Sequence, residues 1–291
     1  MTLLLPFAAK LITHANLGPC LQLDTAAGRV VIAHHGATVI SYVPTGQRDL
    51  LWLSPDASVS PGKAIRGGIP LCGPWFGPHE LLATAATHGL MRTRTWDLVR
   101  VEKTAEDEIC ATFEVNLPAE PTKGWAHHVR ASCKVTLHTA LTVELSVTNT
   151  GLTPFMLSGA LHTYFAVSDI HQVRVHGVGD REFIDFTHGR VRRRQPNGEF
   201  ILTEEAANFF LTNAPVKLAD PSLARTVLIS SSGHGATVVW NPWDKTSATM
   251  GDVGANWPQF ICIEPANIPE TAVPLLPRMT FALSTRISLE P

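Results

Sequence analysis

Charge is what this chain has least of: Asp, Glu, Lys and Arg make up only 16% of its 291 residues, and the formal net charge is -2. A surface without a field of either sign has nothing to draw nucleic acid or an acidic membrane, so a small neutral or singly anionic ligand is the expected partner. Paired cysteines are missing too. Cys20, Cys72, Cys110, Cys133 and Cys262 are odd in number and form no C-x-x-C. Several lie in apolar runs such as F-I-C-I, where a reduced thiol packs as a small hydrophobe, which predicts a reducing cytoplasm. No apolar run is long enough to span a bilayer. The opening M-T-L-L-L-P-F-A-A-K is broken by Pro6 and Lys10 and lacks a basic start, so no signal peptide is expected.

Familiar motifs are absent as well. There is no H-E-x-x-H, cysteine cluster, Walker loop, G-x-S-x-G or G-x-G-x-x-G, which removes the common metal, nucleotide and serine-hydrolase chemistries. The pairs His34-His35 and His127-His128 cannot each chelate one ion, because consecutive strand residues point to opposite faces. No metal and no cofactor are expected. Helical periodicity is scarce; the longest stretch is T-E-E-A-A-N-F-F-L, and no internal repeat, linker or low-complexity segment interrupts the chain.

Short alternating runs are abundant. L-Q-L-D, R-V-V-I-A, A-T-V-I-S-Y-V and L-L-W-L, separated by Ala-Gly, His-Gly and Thr-Gly turns, read as strands between Leu21 and Leu53. The texture returns further on, most clearly where Leu141, Val143, Leu145 and Val147 alternate with Thr142, Glu144, Ser146 and Thr148. Many short strands, punctuated by 21 Gly and 21 Pro, predict an all-β fold: one large antiparallel β-sandwich with little helix, spanning residues 1–291 as a single domain.

The chain is organised around Ala64 to Trp96. Arg66 precedes two glycines, which allow positive φ and could turn several N–H groups toward an anion. His88, Arg92 and Arg94 follow, bringing guanidinium forks and a titratable imidazole to the same region. Pro70, Pro74, Trp75, Phe76 and Pro78 between them would hold fixed geometry; the bland alternative is a solvated loop between strands. Two further groups are candidates for acid–base chemistry. His162, in S-G-A-L-H-T-Y-F, has the hydroxyls of Thr163 and Tyr164 beside it as possible partners, and could equally be a structural histidine. Glu264 closes F-I-C-I-E before Pro265, either as a functional carboxylate or as a strand-end glutamate turned to water. Asp252 adds a carboxylate of open role.

In order along the chain, I-R-G-G-I-P-L-C-G-P-W-F-G-P, H-G-L-M-R-T-R-T-W, L-H-T-Y-F-A-V-S-D-I, W-N-P-W, M-G-D and I-C-I-E-P-A-N resemble the hexose-6-phosphate mutarotases. These form the glucose-6-phosphate 1-epimerase branch of the aldose 1-epimerase family. The resemblance implies a galactose-mutarotase-like supersandwich and metal-free interconversion of sugar anomers by a cytoplasmic enzyme, expected as a monomer. By position it implies His162 and Glu264 as the catalytic pair, Arg66 and Arg92 on the sugar phosphate, and His88 beside the ring. Ala207 stands where the family's Asp-Arg-x-Tyr segment carries a hydroxyl-binding aspartate, which points away from strict hexose specificity. Gly73 and Thr87 replace a tryptophan and a glutamine of many relatives, implying a wider or differently shaped pocket.

Interconverting anomers needs one group to take the anomeric hydroxyl proton and another to protonate the ring oxygen. From reference values of about 4.3 and about 6.5, Glu264 is expected ionised and His162 mostly neutral unless the phosphate and Glu264 favour imidazolium. Two rival readings are a non-catalytic sugar-phosphate or carbohydrate-binding module, and glycoside hydrolysis by Asp252 and Glu264 as paired carboxylates.

Overall fold

The computed structural model describes residues 5–290. The first four residues of the apolar opening stretch, where no leader was expected, lie outside them. As the alternation predicts, the fold is all-β. In Leu141–Asn149 the leucines and valines are buried and the Thr, Glu and Ser positions half-buried, as period-two geometry requires when one face meets a core.

Four antiparallel strands, Ala9–His14, Gly18–Thr25, Gly28–Ala33 and Thr38–Pro44, form an N-terminal meander. An eight-stranded sheet runs in the order Arg174–His176, Val216–Asp220, Arg225–Ser232, Thr280–Leu289, Leu141–Asn149, Val129–Leu137, Glu108–Leu117, Asp97–Ala105. A second runs Val191–Arg194, Glu182–Asp185, Ala206–Phe210, Ala236–Asn241, Phe260–Asn267, Gly159–Leu161, Leu71–Cys72, with Tyr164–Ala166 also paired to Phe260–Asn267. Phe155–Leu157 and Val273–Leu275 form a further two-stranded sheet. One apolar core joins the meander and both large sheets, drawing Leu21 and Ile32 from the meander, Val143 and Leu145 from the first large sheet, and Val239, Ile261 and Ile263 from the second. Burying each such side chain stabilises by about 1.5–3 kcal/mol, which fixes the register of every strand that contributes one.

Helix is limited to Trp243–Ser247, the 3-10 segment Gly254–Gln259 and four single 3-10 turns among the described residues. The longest helical-looking stretch is instead the strand Ala206–Phe210, whose burial alternates. Strands Glu182–Asp185 and Ala236–Asn241 flank it on both sides, and their pairing overrides local periodicity.

The second large sheet carries the site on the face away from the core. Along Phe260–Asn267, Ile261 and Ile263 enter the main core, so Cys262 and Glu264 point the other way. Glu264 lies opposite Val238, itself opposite Phe209; Cys262 lies opposite Trp240 and Tyr164. The second large sheet thus presents two rows of side chains to whatever covers it. That cover includes the 66–96 segment.

Candidate active site

Glu264 is 1% exposed and His162 6%, and both line one cleft of about 710 Å³ with Arg66, His88 and Arg92. All five predicted site residues therefore come together from four stretches of chain. Glu264 is no strand end: the strand continues through Pro265 to Asn267, with Thr237 opposite the proline. His162 sits between two short strands, Gly159–Leu161 and Tyr164–Ala166, that both pair with the glutamate's strand. This brings His162 Nδ1 to 3.4 Å from Glu264 Oε1.

The expected hydroxyl partners of His162 are used elsewhere. Thr163 Oγ1 donates to Leu161 O at 3.3 Å, and Tyr164 OH accepts from Arg66 at 2.9 Å. Residues 162 and 164 share a face in extended chain, so the tyrosine serves by stacking: the rings lie 4.8 Å apart at 9°. His162 Nδ1 and Glu264 Oε2 are buried with no hydrogen-bond partner among the described residues. Burial pushes the His162 imidazole well below its ordinary pKa, helped by His88, Arg92 and Arg66. It pushes Glu264 well above the usual carboxylate range, with Arg92 pulling the other way. Exclusion of water therefore favours the neutral form of both groups, and works against the ionised Glu264 expected from its reference value by favouring the proton on the carboxyl.

His88 is fixed in one tautomer. The N–H of Gly77 donates to its Nδ1 at 3.1 Å, so the proton is on Nε2. Burial, then Arg92 and Arg66, push its pKa down to about 3, and it stands as a neutral donor. Its φ of 64° is one that a bulky residue rarely adopts, held here by His88 N–H to Gly77 O at 2.8 Å. The surrounding loop is pinned as its aromatic content suggested: Trp75 Nε1 donates to Ala86 O, and Phe76 N to Ser158 Oγ, each at 3.0 Å.

The arginines divide into three roles. Arg66 donates to Tyr164 OH and its Nε lies 3.1 Å from Asp252 Oδ2. Burial pulls its pKa down, but Tyr164 and Asp252 outweigh this and the net direction is up. Arg92 donates to Thr87 O at 2.9 Å, while its Nε is buried without a partner. Arg94 turns away and pairs with Glu120. Arg66 and Arg92 also border an adjoining recess of about 490 Å³ that contains Lys63, Asp56 and Asp252. Asp252 is therefore a partner of Arg66, lining the recess and not the cleft that holds Glu264.

The glycines after Arg66 do not form an anion cradle. A Cβ on Gly67 would lie 2.4 Å from Trp52 O, and one on Gly68 2.1 Å from Val39 O; the N–H of Gly68 donates to Trp52 O. They are glycines because the backbone at Trp52 and the strand Thr38–Pro44 at Val39 pass this close. Gly73 does not widen the cleft either, since Met91 Sδ occupies the place of its side chain, 2.7 Å from where a Cβ would be. Ala207 does line the cleft, in an apolar wall with Phe76, Phe186, Phe209 and Trp240. Sequence reasoning missed this wall, though the alternation of A-A-N-F-F was its signal.

A family model described as aldose 1-epimerase matches residues 19–288. A protein of Cenchrus ciliaris is 35% identical over 274 residues, covering 90% of this chain and 82% of its own. One of Escherichia coli K12 is 33% identical over 253 residues, covering 86% and 84%. Both are provisionally named glucose-6-phosphate 1-epimerase. The crystal structure of a protein of Salmonella typhimurium, provisionally named a mutarotase, superposes with a TM-score of 0.84 at 26% identity over 97% of each chain. Galactose 1-epimerase of Lactobacillus acidophilus superposes with 0.77 at 14% identity over 97% of this chain and 98% of that one, a likeness of fold.

Proposed function

The chain belongs to the aldose 1-epimerase family and is an isomerase of sugar anomers, and we propose that it acts on a hexose 6-phosphate, glucose 6-phosphate first, through His162 and Glu264. The observation that carries the assignment of roles is the sealed pair itself: an imidazole and a carboxyl 3.4 Å apart, each with a buried polar atom left for a substrate.

In the reaction, Glu264 takes the proton of the anomeric hydroxyl while His162 protonates the ring oxygen. The bond from the anomeric carbon to the ring oxygen breaks, giving the open-chain aldehyde. Rotation about the bond between the first two carbons turns the other carbonyl face to the attacking hydroxyl, and closure returns both protons. Nothing is oxidised or reduced, and the pair needs one proton throughout. Placing that proton on the imidazole is the task of the phosphate. Arg92 disfavours the imidazolium and favours the carboxylate, so neutralising it pulls the proton both ways; Arg66 opposes the imidazolium alone. A phosphate bound at Arg66 therefore shifts the proton from carboxyl to imidazole. His88 Nε2–H donates to a sugar oxygen, and the unpartnered Nε of Arg92 to the phosphate.

A binding module has no use for an acid and a base with opposed tendencies at the bottom of its cleft. All five groups belong to one chain, so a monomer is the proposed working unit. The five cysteines are free and buried, which favours a reducing compartment, and no helix among the described residues is long and apolar enough to cross a membrane. The test is to add purified protein to freshly dissolved α-glucose 6-phosphate and follow the approach to anomeric equilibrium by NMR. Acceleration over buffer supports the proposal; a rate equal to buffer rejects it.

A further inference from the structure

We propose that His162, Cys262 and Glu264 form an inhibitory binding site for zinc and similar borderline-soft divalent cations. One ligand atom from each lies within 4.8 Å of the others, and all three residues are buried. In a tetrahedral zinc site with bonds of about 2.0–2.3 Å, neighbouring ligands stand roughly 3.3–3.8 Å apart. The separation of 3.4 Å between His162 Nδ1 and Glu264 Oε1 is already of that size.

Two independent features point to a ligand here. His162 Nδ1 and Glu264 Oε2 are sealed from bulk water with no hydrogen-bond partner. Cys262 and Glu264 alternate onto one face of a strand held by Ala236–Asn241 on one side and by Gly159–Leu161 and Tyr164–Ala166 on the other, so their spacing is fixed before any ion arrives. The donor set of thiolate, imidazole and carboxylate suits zinc and not magnesium or calcium, which require several oxygen ligands. Three protein ligands leave the fourth position to water from the cleft.

Binding requires the thiolate and the carboxylate, so the thiol proton of Cys262 and the proton held on the Glu264 carboxyl are both replaced by bonds to zinc and released to solvent. The dication with one thiolate and one carboxylate is formally neutral, so Arg92 and the Asp252-paired Arg66 do not forbid it. Cys262 is not among the residues lining the cleft, packing instead with Trp52, Tyr164 and Phe260, and the sugar reaction makes no use of it. The inhibition rests on the catalytic roles given above to His162 and Glu264; the binding of metal does not.

The experiment titrates zinc into the intact protein during anomer exchange of glucose 6-phosphate, with magnesium and calcium in parallel. In the same samples cobalt(II) is used as an optical probe of thiolate coordination. Zinc is expected to inhibit in competition with substrate, magnesium and calcium to have no effect, and cobalt to give a sulfur-to-metal charge-transfer band. Cys262→Ser should keep its metal-free activity, remove the band and need about tenfold more zinc or higher still. Cys262→Ala serves if a buried hydroxyl disturbs the fold. Equal zinc sensitivity in the cysteine variants, or wild-type protein without the cobalt band, overturns the proposal. Should the protein prove inactive on this sugar, the cobalt band alone decides, because it reads binding and not turnover.

Discussion

Nδ1 of His162 stands 3.4 Å from Oε1 of Glu264, with both side chains almost fully sealed, so the two groups titrate as one unit. His162→Asn should lower the rate of anomer exchange by about two to four orders of magnitude while substrate still binds. The His162→Asn, Glu264→Gln double variant should be little slower than either single one, because both groups serve one transition state. Losses that add in the logarithm of the rate would mean that the groups act independently.

The pH profile follows from burial. Raising Glu264 keeps the pair's proton on to higher pH, and lowering His162 delays a second proton to lower pH. The one-proton form therefore extends above the ordinary carboxylate range and below about 6.5. Measured on free glucose, to keep the substrate's own ionisation out, the fall of kcat/KM at high pH should follow Glu264 and not sit at the ordinary histidine value of about 6.5. A fall there would indicate an ordinary, water-exposed histidine acid.

Phosphate selectivity should depend on the two arginines unequally. Arg92 has a buried Nε to offer and no carboxylate partner among the described residues, so Arg92→Ala should cost about 1.5–3 kcal/mol of affinity for glucose 6-phosphate and little for glucose. Arg66→Ala also frees Asp252 and Tyr164, and should impair both sugars. Steady-state kinetics with both substrates separates these outcomes; equal losses on the two sugars in Arg92→Ala would remove the phosphate from that residue. Lysine at position 92 should recover only part of the loss, having the charge without the fork.

Acid should destabilise the fold through its buried histidines. His88 has its pKa pushed down to about 3, mainly by burial, and His34, His162 and His234 are also lowered. An unfolded chain takes up protons below about 6.5 that the folded one refuses. Stability is thus present above that pH and is lost as pH falls toward the folded values. His88→Asn removes one such group, and asparagine tolerates the positive φ. Its Tm should fall less than that of the wild type between neutral and mildly acid pH; parallel falls would contradict the assignment.

The strands were legible because their alternation is set by burial, and the arginine-rich segment because glycine, proline and aromatic residues punctuate it so densely. Other features depend on contacts distant in sequence. Ala206–Phe210 reads locally as helix, and only its pairing with strands on both sides makes it extended. The contact of Arg66 with Asp252 joins segments from opposite ends of the sequence, and no local pattern announces it. Glu264 was recognisable as unusual, yet its neutral tendency comes from everything packed around it. The glycines after Arg66 were correctly read as conformational, but their purpose lies in the carbonyls of Trp52 and Val39.

The most direct test of an acid–base pair acting on a sugar phosphate is exchange NMR on equilibrated glucose 6-phosphate with wild-type protein and Glu264→Gln at equal concentration. The substitution preserves shape and removes the base. Fast α–β exchange with the wild type, slowed by about two to four orders of magnitude in the variant with binding retained, is the predicted result. Exchange at the same rate in both proteins would show that the carboxylate plays no part in the chemistry.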